Sequence, residues 1–275
     1  MPRRFLAFVV GAAALLAFPL VAACGGSSAP AQAFDPNNAN SVAHAALIAP
    51  ADVAGSWSAT RNDQFTDSAN STAIAPTAAC KASDTAFGKA TNSRAVGRAG
   101  RAEVLLSGAT PPAPTAPASP SPGPSPGTTP AAAAPAPESV APTIEETVEV
   151  YEDQSVPTVA FPLIREAMAS NDVQQCRADA VKSQFATNFP DVTVVATSFA
   201  PSDQTVAATR DGFAAAFTLA ITSGQGTLQL NFQTYGWRSG NAIVTLSFFG
   251  PPDQLTAGLV TAAVQKAQAK LTAAK

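Results

Sequence analysis

Few residues in this 275-residue chain could do chemistry, and their spacing narrows the choice further. There is one histidine, His44, and there are three cysteines, Cys24, Cys80 and Cys176. A serine or cysteine nucleophile would need His44 as its base, and no Gly-x-Ser-x-Gly turn offers a serine to it. Two cysteines and a distant histidine do not fill a tetrahedral zinc shell. Glu145, Glu149 and Asp153 could exchange protons. With Lys81, Lys89, Arg94, Arg98 and Arg101 on the preceding segment, they read instead as solvated charges that help two strands pair. Asn62, Asp63, Asp67 and Asn70 offer oxygen ligands without the spacing of a calcium loop. No glycine-rich loop follows a strand to open a helix, so nucleotide binding has no support. Catalysis is not expected, and neither is a metal or cofactor. Trp57, Tyr235 and Trp237 remain as candidate binding residues, because aromatics with a polar tip line many binding surfaces. Core packing is their alternative reading.

Cys24 has a different kind of chemistry. The chain opens Met1-Pro2-Arg3-Arg4 and then runs from Phe5 to Ala23 without a charge. A basic start and a long apolar run read as a secretory signal peptide. The run ends Leu20-Val21-Ala22-Ala23-Cys24, with small residues before the cysteine. That ending resembles the lipobox of bacterial lipoproteins. The resemblance implies that Cys24 is S-diacylglycerylated, that residues 1–23 are cleaved off, and that the lipid holds the mature chain on the membrane. A retained membrane span is the alternative, since about 19 apolar residues just suffice. Residues 24–39 begin Cys24-Gly25-Gly26-Ser27-Ser28-Ala29-Pro30 and suit a flexible tether.

Composition supports this placement. The formal charge is -3, and removing residues 1–23 takes two arginines and no acid, leaving -5. A weakly acidic chain is not a nucleic-acid binder, and no nucleic-acid partner is expected. Anionic lipid gives it no attraction either, so the lipid on Cys24 must do the holding. Once Cys24 is lipidated, Cys80 and Cys176 form an even pair in an exported chain, which reads as a disulfide. Two free thiols are the alternative.

The elements that must position these residues follow from the pattern. Residues 108–142 carry 12 of the 24 prolines and one charge, Glu138. Such a segment cannot bury apolar surface and is expected to be disordered. Its flanks read as two strands of one ladder, which makes it an oversized hairpin loop in a single domain over 40–275; a linker between two domains is the alternative. Helices are expected over 40–48 and 156–170, the latter with an uncertain start at Pro162, and after Asp172 as a cap. Strands are expected around Trp57, near Gln64-Phe65-Thr66, over 192–199, after a hairpin turn at Arg210-Asp211-Gly212, over 227–233 and over 243–249. Pro251-Pro252-Asp253 should stop the sheet and cap a last helix with Leu255, Leu259, Ala263, Ala267 and Leu271 on one side. The fold class is α+β: an antiparallel sheet with helices packed on one face and a C-terminal helix.

The lipobox, the cysteine ahead of the Glu149-Val150-Tyr151 strand and the cysteine on the following helix are together similar to actinobacterial envelope lipoproteins. More loosely, the arrangement resembles the extracellular sensor domain of mycobacterial receptor kinases, which carry two disulfides where this chain has cysteines for one. The resemblance implies a lipid-anchored, extracytoplasmic, sensor-like domain on the cell membrane, binding a small molecule, a lipid or an envelope protein. An envelope hydrolase or a purely structural envelope component are the other readings. Replacing Cys24 by Ala should move the protein from the membrane to the soluble fraction and block processing. Unchanged fractionation and size would remove the lipid anchor.

Overall fold

Period-two alternation builds most of this molecule. In the computed structural model the described residues are 36–61, 80–81, 97–109, 140–188, 193–198, 211–223 and 226–274. Seven strands form one sheet: β1 (Trp57–Arg61), β2 (Arg98–Gly108), β3 (Thr143–Tyr151), β4 (Thr193–Ser198), β5 (Gly212–Ser223), β6 (Gly226–Ser239) and β7 (Ala242–Gly250). Their order is β1-β2-β3-β7-β6-β5-β4, and every neighbouring pair is antiparallel. Two meanders, β1-β2-β3 and β4-β5-β6-β7, are therefore joined edge to edge by the pairing of β3 with β7. Helices α1 (Pro36–Ala46), α2 (Ser155–Ala169), α3 (Asn171–Asn188) and α4 (Ala257–Ala273) complete the fold.

The α+β class, the antiparallel sheet and the C-terminal helix match the pattern reading. The helices, however, divide between two faces rather than sharing one. On the first face, Ala102, Val104 and Leu106 of β2, Ile144, Val148 and Val150 of β3, Val244, Leu246 and Phe248 of β7 and Tyr235 and Trp237 of β6 form one core. Ala39, Val42, Ala43 and Ala46 of α1 and Val260, Ala263, Val264, Ala267 and Leu271 of α4 cover it. The opposite parity of the same strands builds the second face. There Phe161, Ile164 and Met168 of α2 pack with Tyr151, Phe213, Ala215 and Ile243. Strands whose two parities are both apolar need cover on both sides. Residues 242–249 have apolar side chains on both parities, Val244, Leu246 and Phe248 on one and Ile243 and Phe249 on the other.

Local chemistry explains the boundaries. Helix α1 starts at Pro36, inside the stretch read as tether, because Ala39 is fully buried there. It approaches β2 so closely that a Cβ on Gly100 would lie 2.4 Å from the Ala39 backbone, so only glycine fits. Pro162 sits inside α2 rather than in its first turn. Asp172 likewise lies within the first turn of α3, which begins one residue earlier. Thr256, not Asp253, caps α4, its hydroxyl accepting from the Leu259 N–H at 3.3 Å. Arg210-Asp211-Gly212 is not a tight hairpin turn: β4 ends at Ser198, which pairs with Thr218, while Gly212 pairs with Trp237. A two-residue turn among the described residues is at Gly240-Asn241, where Gly240 has φ of 56°.

Strands β2 and β3 pair from Ser107 with Thr143 down to Arg98 with Tyr151. Beyond the ladder, the Gly108 N–H donates to the Pro142 carbonyl at 2.8 Å. The proline-rich span is thus shorter than 108–142. Gly108 belongs to β2, and Val140 is buried in a cluster with Phe217, Phe232 and Phe249. Most of the span, with Cys24 and the segment around Gln64, lies outside the described residues. Replacing residues 110–139 by a short Gly-Ser turn should leave thermal unfolding cooperative, since loop closure costs only about 0.6 kcal/mol per doubling of length. Extending the deletion through Val140 should lower the melting temperature.

Candidate functional site

Residue types in β3, Thr-Ile-Glu-Glu-Thr-Val-Glu-Val-Tyr, put an acid on each face of the sheet's middle. Glu146 points to the first face, in the apolar row of Ile144, Val148 and Val150, and is fully buried. Its Oε2 accepts the Ile48 N–H at 2.6 Å, while Oε1 has no hydrogen-bond partner among the described residues. Burial pushes its pKa up to about 8, with the Ile48 bond and Lys270 opposing. Next to it Lys270 of α4 donates to the Leu47 carbonyl at 2.7 Å and pairs with Asp52 at 2.8 Å. Partial burial works against the Asp52 carboxylate, but Lys270, the Ala49 N–H and Lys266 outweigh it and hold its pKa below the ordinary value. These contacts fasten the segment after α1 to the last helix.

The second face is different. Register lays Glu145, Ser247, Thr234 and Ala215 in one row across β3, β7, β6 and β5, with Thr147, Thr245 and Gly236 in the next. On one side of this polar band lies the cluster around Phe161 and Phe213; on the other lie Phe217, Phe232 and Phe249. Arg177 of α3 descends onto the band and is 3% exposed. One terminal nitrogen donates to Thr234 Oγ1 at 3.0 Å, the other approaches the Met168 sulfur at 3.9 Å, and its carbon stands 5.8 Å over the Phe217 ring. The Arg177 Nε has no partner among the described residues. Thr234 Oγ1 and Ser247 Oγ are 3.3 Å apart.

Glu145, the next member of the row, is 8% exposed. Burial first, and the like charge of Glu103 second, raise its pKa to about 8 against the pull of Arg101 and Arg177. Burial lowers the Arg177 pKa to about 10, so the guanidinium stays charged at neutral pH while Glu145 stays neutral. Glu149 is handled otherwise: Arg98 pairs with it at 3.1 Å and the Tyr151 hydroxyl donates to it at 3.0 Å. The three acids of β3 are thus buried rather than solvated. The expected pairing with basic residues of β2 does occur, at Arg98. The residue pattern does not single out Arg177; its place one residue after Cys176 is the available signal.

Cys80 and Cys176 form a disulfide with Cα atoms 4.7 Å apart, and both are buried. The aromatic candidates do not converge. Tyr235 and Trp237 are inside the first-face core, Tyr235 donating to Gln233 Oε1 at 3.1 Å. Trp57 is on edge strand β1, partly buried, with its indole N–H on the Ala54 carbonyl at 2.9 Å. Four inter-strand steps of about 4.8 Å separate β1 from β6 by roughly 19 Å. His44 is half-buried in α1. Among the described residues no group of three metal-ligating side chains converges, and no helix is long and apolar enough to cross a membrane. Cys24, Asn62, Asp63, Asp67 and Asn70 lie outside the described residues.

What these features define is an α+β domain with an internal disulfide and a buried arginine–glutamate band. No protein-family model matches the chain, and no curated protein matches it in sequence. Among solved structures it is similar to the crystal structure of the extracellular domain of PknH from Mycobacterium tuberculosis. The likeness has 10% identity and a TM-score of 0.38, and covers 87% of this chain and 98% of that one. At that level it assigns neither ligand nor activity.

The two raised carboxyls set a pH dependence. Unfolded, Glu145 and Glu146 ionise near the ordinary carboxylate value; folded, they hold their protons until about pH 8. Their contribution to stability is complete below the ordinary value and is lost as pH rises to about 8. The melting temperature should therefore fall between about pH 5 and pH 8. Glu146→Gln should flatten that slope, measured by calorimetry across the range.

Proposed function

We propose that this protein is a lipid-anchored, extracytoplasmic lipoprotein of the cell membrane whose folded domain is a non-catalytic, sensor-like binding module. The observation that carries the placement is the buried bond between Cys80 and Cys176, 96 residues apart in sequence. Disulfides of this kind persist in oxidising compartments, and closing a loop of about 100 residues is worth roughly 4–5 kcal/mol in the chain-entropy model. The basic start, the apolar run and the small residues before Cys24 support export and anchoring. The binding reading is supported by a buried cation, Arg177, whose Nε has no partner among the described residues.

An alkaline phosphatase fused after Lys275 should be active in a bacterial host, and a non-reduced digest should contain the linked Cys80 and Cys176 peptides. An inactive fusion together with freely alkylated cysteines would overturn the placement. The non-catalytic reading has its own test. Turnover in a screen of ester, peptide and glycoside substrates, abolished by Glu145→Gln, would replace it with a hydrolase.

A further inference from the structure

Residues 36–56 run the length of strand β2, and four contacts give their direction. The Ala39 backbone lies against Gly100, near the start of β2, and the Arg101 N–H donates to Asn40 Oδ1 at 3.2 Å. Further along, the Ile48 N–H meets Glu146, which pairs with Val104. Past the end of the strand, the Ala109 N–H donates to the Ser56 carbonyl at 3.0 Å. The chain that follows Cys24 therefore joins the domain at the Arg98 end of β2. The end of β3, the Gly240-Asn241 turn and the start of α2 gather there too. The Tyr151 N–H donates to the Asn241 carbonyl at 2.9 Å, and the Glu152 N–H donates to the Gly97 carbonyl at 2.7 Å. The opposite end holds Gly108 and Pro142, the roots of the proline-rich span, with Gly250 beside Pro142. Ten strand steps of about 3.3 Å put roughly 33 Å between the two ends.

Twelve residues, 24–35, precede Pro36. A coil of that length spans about 19 Å on average, well short of the separation of the ends. A lipid on Cys24 thus keeps the Arg98 end next to the bilayer. A second observation points the same way. Val159 and Val195 are the large apolar side chains left exposed among the described residues, at 59% and 49%. Val159 is near the start of α2, beside Thr158, whose hydroxyl accepts from Arg238 at the near end. Val195 is elsewhere, paired with Ala220, eight residues along β5 from Gly212. An apolar side chain beside an anchored end is placed to enter the boundary between headgroups and acyl chains, and it needs no anionic lipid to do so.

We propose that the domain stands on the membrane by this end: the starts of β2 and α2 and the Gly240-Asn241 turn face the lipid headgroups, Val159 enters the interface, and Gly108 and Pro142 point away. The orientation rests on the reading of Cys24 as lipid-bearing and adds to it the surface that meets the bilayer. The far end is the one left open to partners in the envelope.

Phosphatidylcholine vesicles with a trace of rhodamine-headgroup lipid are the probe, carrying lipidated protein purified from membranes. A fluorescent donor is attached through Ser155→Cys at the near end or Asp253→Cys at the far end, both exposed positions. Loss of donor emission on the vesicles should be about twofold greater, or more, at 155 than at 253, given the length of the strands between them. On vesicles without rhodamine, an environment-sensitive dye on Val159→Cys should shift to the blue, and the same dye on Val195→Cys should not. Equal loss at the two ends, or greater loss at 253, overturns the orientation. Unshifted emission at 159 overturns the contact of Val159 with lipid. Flotation with the vesicles reads the anchor separately, and Cys24→Ala should not float. A parent protein that does not float removes the anchor itself and the orientation with it, whereas one that floats and fails the fluorescence tests loses the orientation alone.

Discussion

Moving a carboxyl group out of water costs several kcal/mol unless it is paired or gives up its charge, and strand β3 takes three carboxyls inside. It can do so because β3 is the seam of the sheet, hydrogen-bonded to β2 on one side and β7 on the other. Each acid is accommodated differently. Glu149 is paired with Arg98 and Tyr151, Glu146 takes a backbone N–H from the segment after α1, and burial raises the pKa of Glu145 beneath Arg177. Covering helices on both faces are the condition for this arrangement, and the acids in turn fix where those helices attach.

The faces consequently have different characters. The first is a continuous apolar core closed by α1 and α4, with one ionic clasp of Asp52, Lys266 and Lys270 at its rim. The second is two aromatic clusters split by a polar band. A split core packs less apolar surface than an undivided one, so the second face gives up stability that the first does not. Such a concession is the usual mark of a site rather than of a scaffold. The disulfide is anchored on α3 at Cys176, one residue from Arg177.

Much of this was readable from residue pattern, and what was missed has physical causes. The alternation of Thr227 to Gln233, the strand at 243–249, the closing helix and the pairing of the segments around the proline-rich span all follow from local periodicity. Two adjacent acids, Glu145 and Glu146, in a strand otherwise rich in β-branched residues had to fall on opposite faces. Solvating both would have required an uncovered sheet, and the apolar parity of Val148, Val150, Ile243 and Phe249 already argued against one. Tyr235 and Trp237 were ambiguous because an aromatic on a strand looks the same to the sequence whether a helix covers it or a ligand does. The Arg177 band was illegible for another reason: it joins residues from β3, β6, β7 and α3, and only the cross-strand register brings them into one row.

The order in which the strands assemble has a consequence for how the chain comes to be folded at all. The central pairing waits for β7, the penultimate element, to meet β3 about a hundred residues earlier. The clasp between Lys270 and the Leu47 carbonyl spans 223 residues. The helix α1 and the meander β1-β2-β3 can meet early, but the seam and the clasp close only when the last strand and the last helix are available, and contacts of such sequence separation form slowly.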